Sequence, residues 1–238
     1  CRLADNAALP AAAAGGPLLC VFILDPATRP LSAAGWWLHG ALDNLDRALR
    51  RQDGALHILR GDATQLIPAL AQASEAHAVH WNRRYDPSGR EIDTRIKTRL
   101  KTLGIAAHSF AGALLHEPWS LRTRSGTPFQ VFTPFWKTLS RLGSPRAPLP
   151  APEKPHFSLF PETPDLCPVS LAELALRPVH PDWATGFSDQ WTPGEHHAHE
   201  TLRDFLEKRL HGYAHRRDYP GAITTARLSP ALRAGHLT

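Results

Sequence analysis

The feature that most constrains the fold is an alternation of short apolar runs with helix-period segments through the amino-terminal part of the chain. Four apolar runs lie at residues 18–24, 55–59, 76–81 and 106–110. The segments between them have helical periodicity, and the clearest spaces leucines at i, i+4, i+7 and i+11 from Leu38. Short, continuously apolar runs are typical of parallel strands buried on both faces. The alternation therefore predicts a parallel α/β sheet with helices on both faces.

Helix ends in this region carry recognisable signals. A short helix is expected over 7–14 behind Asp5 and Asn6, and Asp62 and Asp86 are expected to cap two further helices. Gly104 is expected to end the last of these.

The middle of the chain differs from the first part in its proline content. Fourteen of the 22 prolines lie between Pro118 and Pro193, and this density interrupts helical and strand periodicity alike. We predict an α/β domain over 1–115, an interdomain linker over 116–190 with short helices near 134–142 and 170–176, and the start of a helical domain over 191–238. A single helix is expected from Glu195 to about Tyr213.

Composition gives weaker indications of the partner, the location and the completeness of the chain. The net charge of +5 mildly favours a polyanionic partner, and three cysteines without a CxxC motif suit a reducing, cytoplasmic location. No apolar run is long enough for a membrane span, so no membrane partner is expected. Methionine is absent even at position 1, and Thr238 is expected to fall inside a newly started helix. These two features predict a fragment truncated at both ends.

The carboxyl-terminal stretch combines hydroxyls, arginines and a helix start. Ser229 is a good N-cap and Pro230 suits the first helical turn, while Thr224, Thr225 and Arg227 stand just before them. Hydroxyls and a guanidinium beside a helix N-terminus make an anion site for a phosphate or diphosphate. The alternative is an ordinary capped helix with surface arginines.

The same stretch, with Tyr213, Arg217-Asp218 and Thr225-Ala-Arg-Leu-Ser229, resembles the flavin-binding entry of the DNA photolyase/cryptochrome family. Other segments resemble the family in the same order along the chain, and together they span nearly all of it: RLADN at 2–6, VFILDP at 21–26, HILRG at 57–61, WN at 81–82, VFTPFW at 131–136, WTPGE at 191–195 and the segment 202–213.

The resemblance implies a Rossmann-like α/β domain, a long linker and the first helices of an all-α FAD-binding domain. The family places one more strand before Arg2. Removing a central strand from a parallel sheet would leave unpaired backbone groups inside the core, each costing about 1–3 kcal/mol. The isolated chain is therefore expected to be only marginally stable.

The resemblance also assigns site residues. It places Tyr213, Thr225, Ala226, Arg227, Leu228 and Ser229 against FAD. Ala226 stands where the family commonly has Ser, so one hydrogen bond of roughly 0.5–1.5 kcal/mol is lost there. Arg217 matches an arginine on the DNA-facing side, with a solvated arginine as the alternative, and no catalytic residue is expected within this sequence.

Three further groups of residues are candidate sites. Ser88 and Gly89 occupy the place where one antenna class uses an Asn-Glu pair, so a folate antenna is poorly supported and a deazaflavin type or no antenna stays open. Trp36 and Trp37 are expected to be core and rim of the first long helix. His196, His197 and His199 lack the i, i+4 pairing of helical zinc sites, so no metal site is expected.

The resemblance implies that the full-length protein is a monomeric, light-dependent lyase that acts on damaged DNA. It would split cyclobutane pyrimidine dimers by electron transfer from reduced FAD, and the sequence in hand would itself be inactive. A cryptochrome-type photoreceptor that signals through a protein partner is the alternative. A generic nucleotide-binding α/β module would explain residues 1–112 but not the linker or the stretch 213–229.

Overall fold

Strands and helices alternate through the first half of the chain, as the apolar periodicity predicts. The computed structural model describes residues 1–25, 33–112 and 114–238. In chain order the elements of this half are α1 (Ala8–Ala13), β1 (Cys20–Leu24), α2 (Ala33–Arg50), β2 (Leu56–Arg60), α3 (Ala63–Ala73), β3 (Ala78–Asn82), α4 (Pro87–Thr102) and β4 (Ala106–Phe110).

The four strands form two separate parallel pairs. β1 pairs with β2 in the register Cys20↔Leu56, and β3 pairs with β4 in the register Ala78↔Ala106. No ladder joins β1 to β3 among these four strands. The α/β class and the parallel pairing are confirmed, and the sheet is divided down its middle.

Helices cover both faces of the first pair, as expected. Phe22 and Leu24 of β1 pack with Leu42 of α2, whereas Val21 and Ile23 pack on the side of α3 with Leu70. Successive strand residues point to opposite faces, so alternate side chains serve the two helices. A third cluster places Ile96 and Leu100 of α4 against β3, β4 and α3, and it also includes Ile23.

The capping predictions hold for the two long helices that they concern. The Asp62 carboxylate accepts a hydrogen bond from Thr64 N at 2.8 Å, and the Asp86 carboxylate accepts one from Gly89 N at 2.7 Å. These bonds hold the pKa of both carboxyls below the usual range. The prediction for the first helix was wrong, because α1 starts after Ala7 without a side-chain cap.

The proline-rich middle supplies core residues as well as connection. Its helices are α5 (Phe132–Ser140) and α6 (Phe187–Gln190), with a short 3-10 turn at Ala172–Leu174. Leu166, Leu174 and Leu176 are buried against the β1–β2 pair. Val169 N also donates to Ile58 O of β2 at 2.8 Å.

The carboxyl-terminal part is helical but more broken than the sequence predicts. α7 (Glu195–Asp204) passes into a π-helical turn at Phe205–Arg209 and a 3-10 turn at Leu210–Gly212, followed by α8 (Tyr213–Arg216). A single helix to Tyr213 was therefore wrong. α9 (Ser229–Arg233) ends at Ala234 and Gly235, so Thr238 does not lie inside a helix.

No helix in the described ranges is both long and apolar enough to cross a membrane.

Candidate functional site

Tyr213 anchors the stretch that was predicted to bind a cofactor. Its ring packs edge-to-face on Phe205, with ring centroids 5.6 Å apart, and the Arg217 guanidinium lies over its other face at 5.3 Å. Both contacts come from within one or two helical turns, so they form as soon as the 205–217 segment is helical. The tyrosine is thus held half-buried at the edge of the stretch.

The serine and threonine residues of the stretch have different surroundings. Thr224 is buried, and its hydroxyl donates to Arg216 O at 2.9 Å, which closes the 216–224 loop. Thr225 and Ser229 are exposed, and neither hydroxyl has a partner within the described residues. Thr224 is therefore a structural residue, whereas Thr225 and Ser229 can donate to a ligand.

The predicted N-cap role of Ser229 was wrong. Ser229 is already the first residue of α9, Leu228 takes the N-cap position, and no side chain caps the helix. α9 has only five residues, so it has little helix dipole to offer an anion. Any anion affinity of this turn must come from hydroxyls and guanidinium groups.

Arg227 and Leu228 turn away from those hydroxyls into a cavity. Arg227 has a left-handed backbone, with φ 53°, and its guanidinium lies 4.4 Å from the centre of the Trp191 ring. The cavity, of about 160 Å³, is lined by both residues together with Trp191 and Arg209, and no carboxylate lines it. Thr225 and Ser229 do not line it. Of the six residues predicted for FAD, Thr225 and Ser229 therefore lie on an open edge, whereas Arg227 and Leu228 line a partly open basic pocket.

Arg209 lines the cavity and also contacts Thr225 on the open edge. It pairs with the Asp204 carboxylate, and its Nη1 donates to Thr225 O at 3.2 Å. Its Nε is buried without a partner in the described part of the chain. Arg209 thus fixes the position of Thr225, and one N–H remains unsatisfied beside the cavity. Ala226, between Thr225 and Arg227, is half-buried and offers no side-chain donor.

His236 connects the carboxyl-terminal unit to the α/β part. It is fully buried, its Nε2 accepts a hydrogen bond from Trp37 Nε1, and its Nδ1 lies 3.0 Å from Cys1 O. A carbonyl can only accept, so Nδ1 carries the proton and the ring is neutral. Burial, followed by the nearby amino group of Cys1, lowers the pKa of His236 to about 4.

Arg2 and Glu195 extend the same junction. The buried Arg2 guanidinium donates to Asp5 O, Gly112 O and Gly235 O at 2.7–3.1 Å. The Glu195 carboxylate accepts hydrogen bonds from Leu3 N and Ala4 N at 2.7 and 2.9 Å. The segment 1–6 is therefore fastened between the strand ends and the helices that carry the site.

Arg217 is exposed to solvent. Its side chain retains 53% of its accessible surface, and Asp218 lies 3.4 Å from its Nε. The carboxylate neighbour and the Tyr213 ring orient the guanidinium without covering it.

The remaining candidate residues have local roles. Ser88 and Gly89 both donate to Asp86 in the cap of α4. Trp36 is buried and Trp37 is half-buried, as core and rim of α2. His196 and His197 each lie 3.5 Å from Glu200, and the described residues contain no group of three or more His, Cys, Asp or Glu placed to hold a metal.

Sequence reasoning missed Arg209, Trp191 and His236 as contributors to the site. In the sequence, Trp191 stands out only as part of the WTPGE motif, and nothing in the local pattern marks His236. Their contacts reach 36 residues along the chain for Trp191–Arg227 and 199 for Trp37–His236. No local periodicity signals such pairings.

Comparison with known proteins agrees with this architecture. A family model described as DNA photolyase matches residues 1–153. A deoxyribodipyrimidine photo-lyase of Agrobacterium fabrum is 43% identical across the whole chain, which covers 49% of that relative. An uncharacterised 31.6 kDa protein of Synechococcus is 36% identical over 98% of the chain, which covers 81% of that relative.

A solved structure agrees in fold as well. A bacterial class III photolyase from Agrobacterium tumefaciens superposes with a TM-score of 0.91 at 42% identity, over 99% of this chain and 48% of that one. The chain thus spans about half the length of the photolyases it matches. With a family model matching well over half of its residues and the fold shared with a solved photolyase, the chain belongs to the DNA photolyase family.

Proposed function

We propose that this chain is part of a light-dependent DNA repair flavoprotein that splits cyclobutane pyrimidine dimers, and that its stretch 213–229 holds the diphosphate and ribityl part of FAD. The observation that carries the proposal is the pair of exposed hydroxyls on Thr225 and Ser229, which have no partner in the described residues. Membership of the DNA photolyase family supports the choice of FAD over other phosphate ligands.

The residues fit such a group. Hydroxyls donate to phosphate oxygens without adding charge, and Thr225 is held in place through its carbonyl by Arg209. The Arg227 guanidinium places a positive charge beside the turn, whereas the charge of Arg209 is balanced by Asp204. When bound, FAD would supply light absorption and electron transfer to the dimer. The chain's own task is to fix the phosphates and ribityl group and to keep them at the edge of the helical unit.

For DNA, we propose that Arg217 contacts a backbone phosphate. Arginine binds phosphate bidentately, and phosphate contacts position a protein on DNA without reading its sequence. The Tyr213 ring beneath the guanidinium would preserve its orientation while the outer N–H groups face the phosphate.

The cofactor proposal is tested by titrating the purified chain with FAD and following flavin fluorescence. Loss of a hydrogen bond to a charged phosphate costs about 1.5–3 kcal/mol, so Thr225→Val and Ser229→Ala should each weaken binding roughly tenfold or more. Thr94→Val, at an exposed position of α4, is the matched control and should bind like the parent chain. Equal affinity in all variants, or no FAD binding by the parent, would refute the assignment.

The activity is tested with the native gene product and DNA containing pyrimidine dimers, in light and in darkness. Light-dependent loss of dimers supports repair. Bound flavin with no loss of dimers would instead favour the cryptochrome-type photoreceptor. Arg217→Ala should weaken DNA binding equally for all sequences and reduce its salt dependence by about one charge.

A further inference from the structure

We propose that the cavity beside Trp191, termed here the Trp191 pocket, binds a small aromatic carboxylate. The pocket has a volume of about 160 Å³, and its lining includes Trp37, Trp191, Arg209, Arg227 and Leu228. The exposed hydroxyls of Thr225 and Ser229, on which the FAD proposal depends, do not line it. The inference is therefore separate from the proposed cofactor site and does not rest on it.

The pocket contains one guanidinium that is available to an anion. Arg227 lies 4.4 Å from the centre of the Trp191 ring, and within the described residues it has no ion pair. The charge of Arg209, by contrast, is balanced by Asp204. A single unbalanced cation favours a monoanion over a phosphate dianion. A carboxylate is the monoanion that a guanidinium binds in bidentate fashion.

The backbone of Arg227 holds its side chain at the pocket. Its φ of 53° lies in the left-handed region, which residues other than glycine seldom adopt. Such conformations concentrate where the chain must present a group to a ligand. The turn thus keeps the guanidinium over the Trp191 ring, at the wall of the pocket.

Arg209 supplies a second reason to expect an anion. Its Nη1 donates to Thr225 O and its Nη2 pairs with Asp204, whereas its Nε is buried without a partner in the described part of the chain. Buried N–H groups of folded proteins nearly always have an acceptor. A ligand carboxylate supplies such an acceptor beside Arg209, which a purely apolar molecule or a cation does not.

The rest of the lining selects an aromatic body for the ligand. The rings of Trp37 and Trp191 meet edge-to-face with their centroids 6.0 Å apart, and Leu228 and the buried Ala231 complete an apolar wall. Aromatic rings pack favourably against such edges and faces. The volume is well below the roughly 300–1,000 Å³ of pockets for drug-sized ligands, so a single ring fits whereas a nucleotide does not.

The test titrates the purified, isotope-labelled 238-residue chain with sodium benzoate at constant ionic strength and follows the indole N–H signal of Trp191 by NMR. Trp191→Phe assigns that signal. We expect a saturable shift with a Kd of about 1 mM, a value in the range for a single-ring ligand. Benzamide keeps the ring without the charge, and acetate keeps the charge without the ring. Each should bind at least about tenfold more weakly than benzoate.

Matched variants locate the binding site. Arg227→Gln should weaken benzoate binding about tenfold or more and leave benzamide binding unchanged, because only the charged pair is lost. Arg124→Gln, at an exposed arginine of the linker, should bind benzoate like the parent chain. Thr225→Val should also bind benzoate like the parent, because Thr225 does not line the pocket.

The comparison of the three ligands needs only the parent chain, so it stands even where a variant fails to fold. Benzoate that binds no better than benzamide or acetate, or gives no saturable shift, would overturn the proposal. Unchanged benzoate binding in a folded Arg227→Gln would do the same. Displacement of benzoate by FAD would make the pocket part of the cofactor site and would also overturn it. The titration itself contains no flavin, so failure of the chain to bind FAD leaves the result intact.

Discussion

Acidification from pH 7 to pH 5 should remove about 2 kcal/mol of unfolding free energy through His236 alone. The folded pKa is about 4, because the ring is buried among Trp37, Cys1 and the Arg2 network. An unfolded histidine has a pKa of about 6.5. Between these values the unfolded chain binds a proton that the folded chain does not, so stability falls as pH falls. The contribution is present above pH 6.5 and is lost progressively towards pH 4.

The magnitude follows from proton linkage for one site. With pKa values of about 4 folded and about 6.5 unfolded, the loss is about 2 kcal/mol by pH 5 and about 3 kcal/mol by pH 4. Other groups titrate over the same range, so the effect must be read as a difference between variants. His236→Gln is the suitable variant, because an amide can still accept from Trp37 Nε1 and donate to Cys1 O without titrating.

The assay is urea denaturation at pH 7 and pH 5 for the parent chain, His236→Gln and the exposed-site control His215→Gln. His236→Gln should lose about 2 kcal/mol less than the parent between the two pH values, whereas His215→Gln should follow the parent. A parent and His236→Gln that lose equal stability would show that the buried ring is not held neutral. The account of the junction would then be wrong.

Three further perturbations test the packing that positions the site, each by urea denaturation at pH 7. Arg2→Ala should destabilise the chain by about 3 kcal/mol because three carbonyls, that of Gly112 buried and two part-buried, lose their donor. Arg2→Lys should restore only part of this, and full stability in Arg2→Ala would contradict the junction. Gly112→Ala should cost about 1–3 kcal/mol because a Cβ there would lie 2.5 Å from Asn82 Cβ, whereas Gly221→Ala, with nothing within 4 Å, should be nearly neutral. Asp93→Asn should cost about 2–4 kcal/mol because a buried partner of an ion pair is neutralised, and an unchanged midpoint would show the pair to be dispensable.

The family resemblance and local pattern predict a cofactor contact for the stretch 213–229, and this stays a prediction. Hydroxyl chemistry and motif order point to Tyr213, Thr225 and Ser229, and the side chains of Thr225 and Ser229 are exposed. The helix-capping role of Ser229 failed because capping depends on backbone angles at a single residue. Leu228, with a helix-like backbone, took that position instead.

The sequence pattern also did not predict which residues of the motif face the open edge and which line the pocket. Arg227 belongs to the same short motif as Thr225 but faces the other way, because a left-handed backbone turns its side chain onto Trp191. Arg209 is the last residue of the π-helical turn Phe205–Arg209. A change from α to π geometry alters the direction of the side chains that follow, and a sequence pattern does not predict where such a change occurs.

By itself, the sequence determined the α/β class, the order of strands and helices, and the caps at Asp62 and Asp86. These depend on contacts within a few residues, where periodicity and hydrogen-bonding chemistry are decisive. Tertiary structure alone decided that Arg227 lies against Trp191 and that His236 is buried neutral between Trp37 and Cys1. Both depend on which distant groups come close enough to exclude water, and a linear pattern of residues does not carry that information.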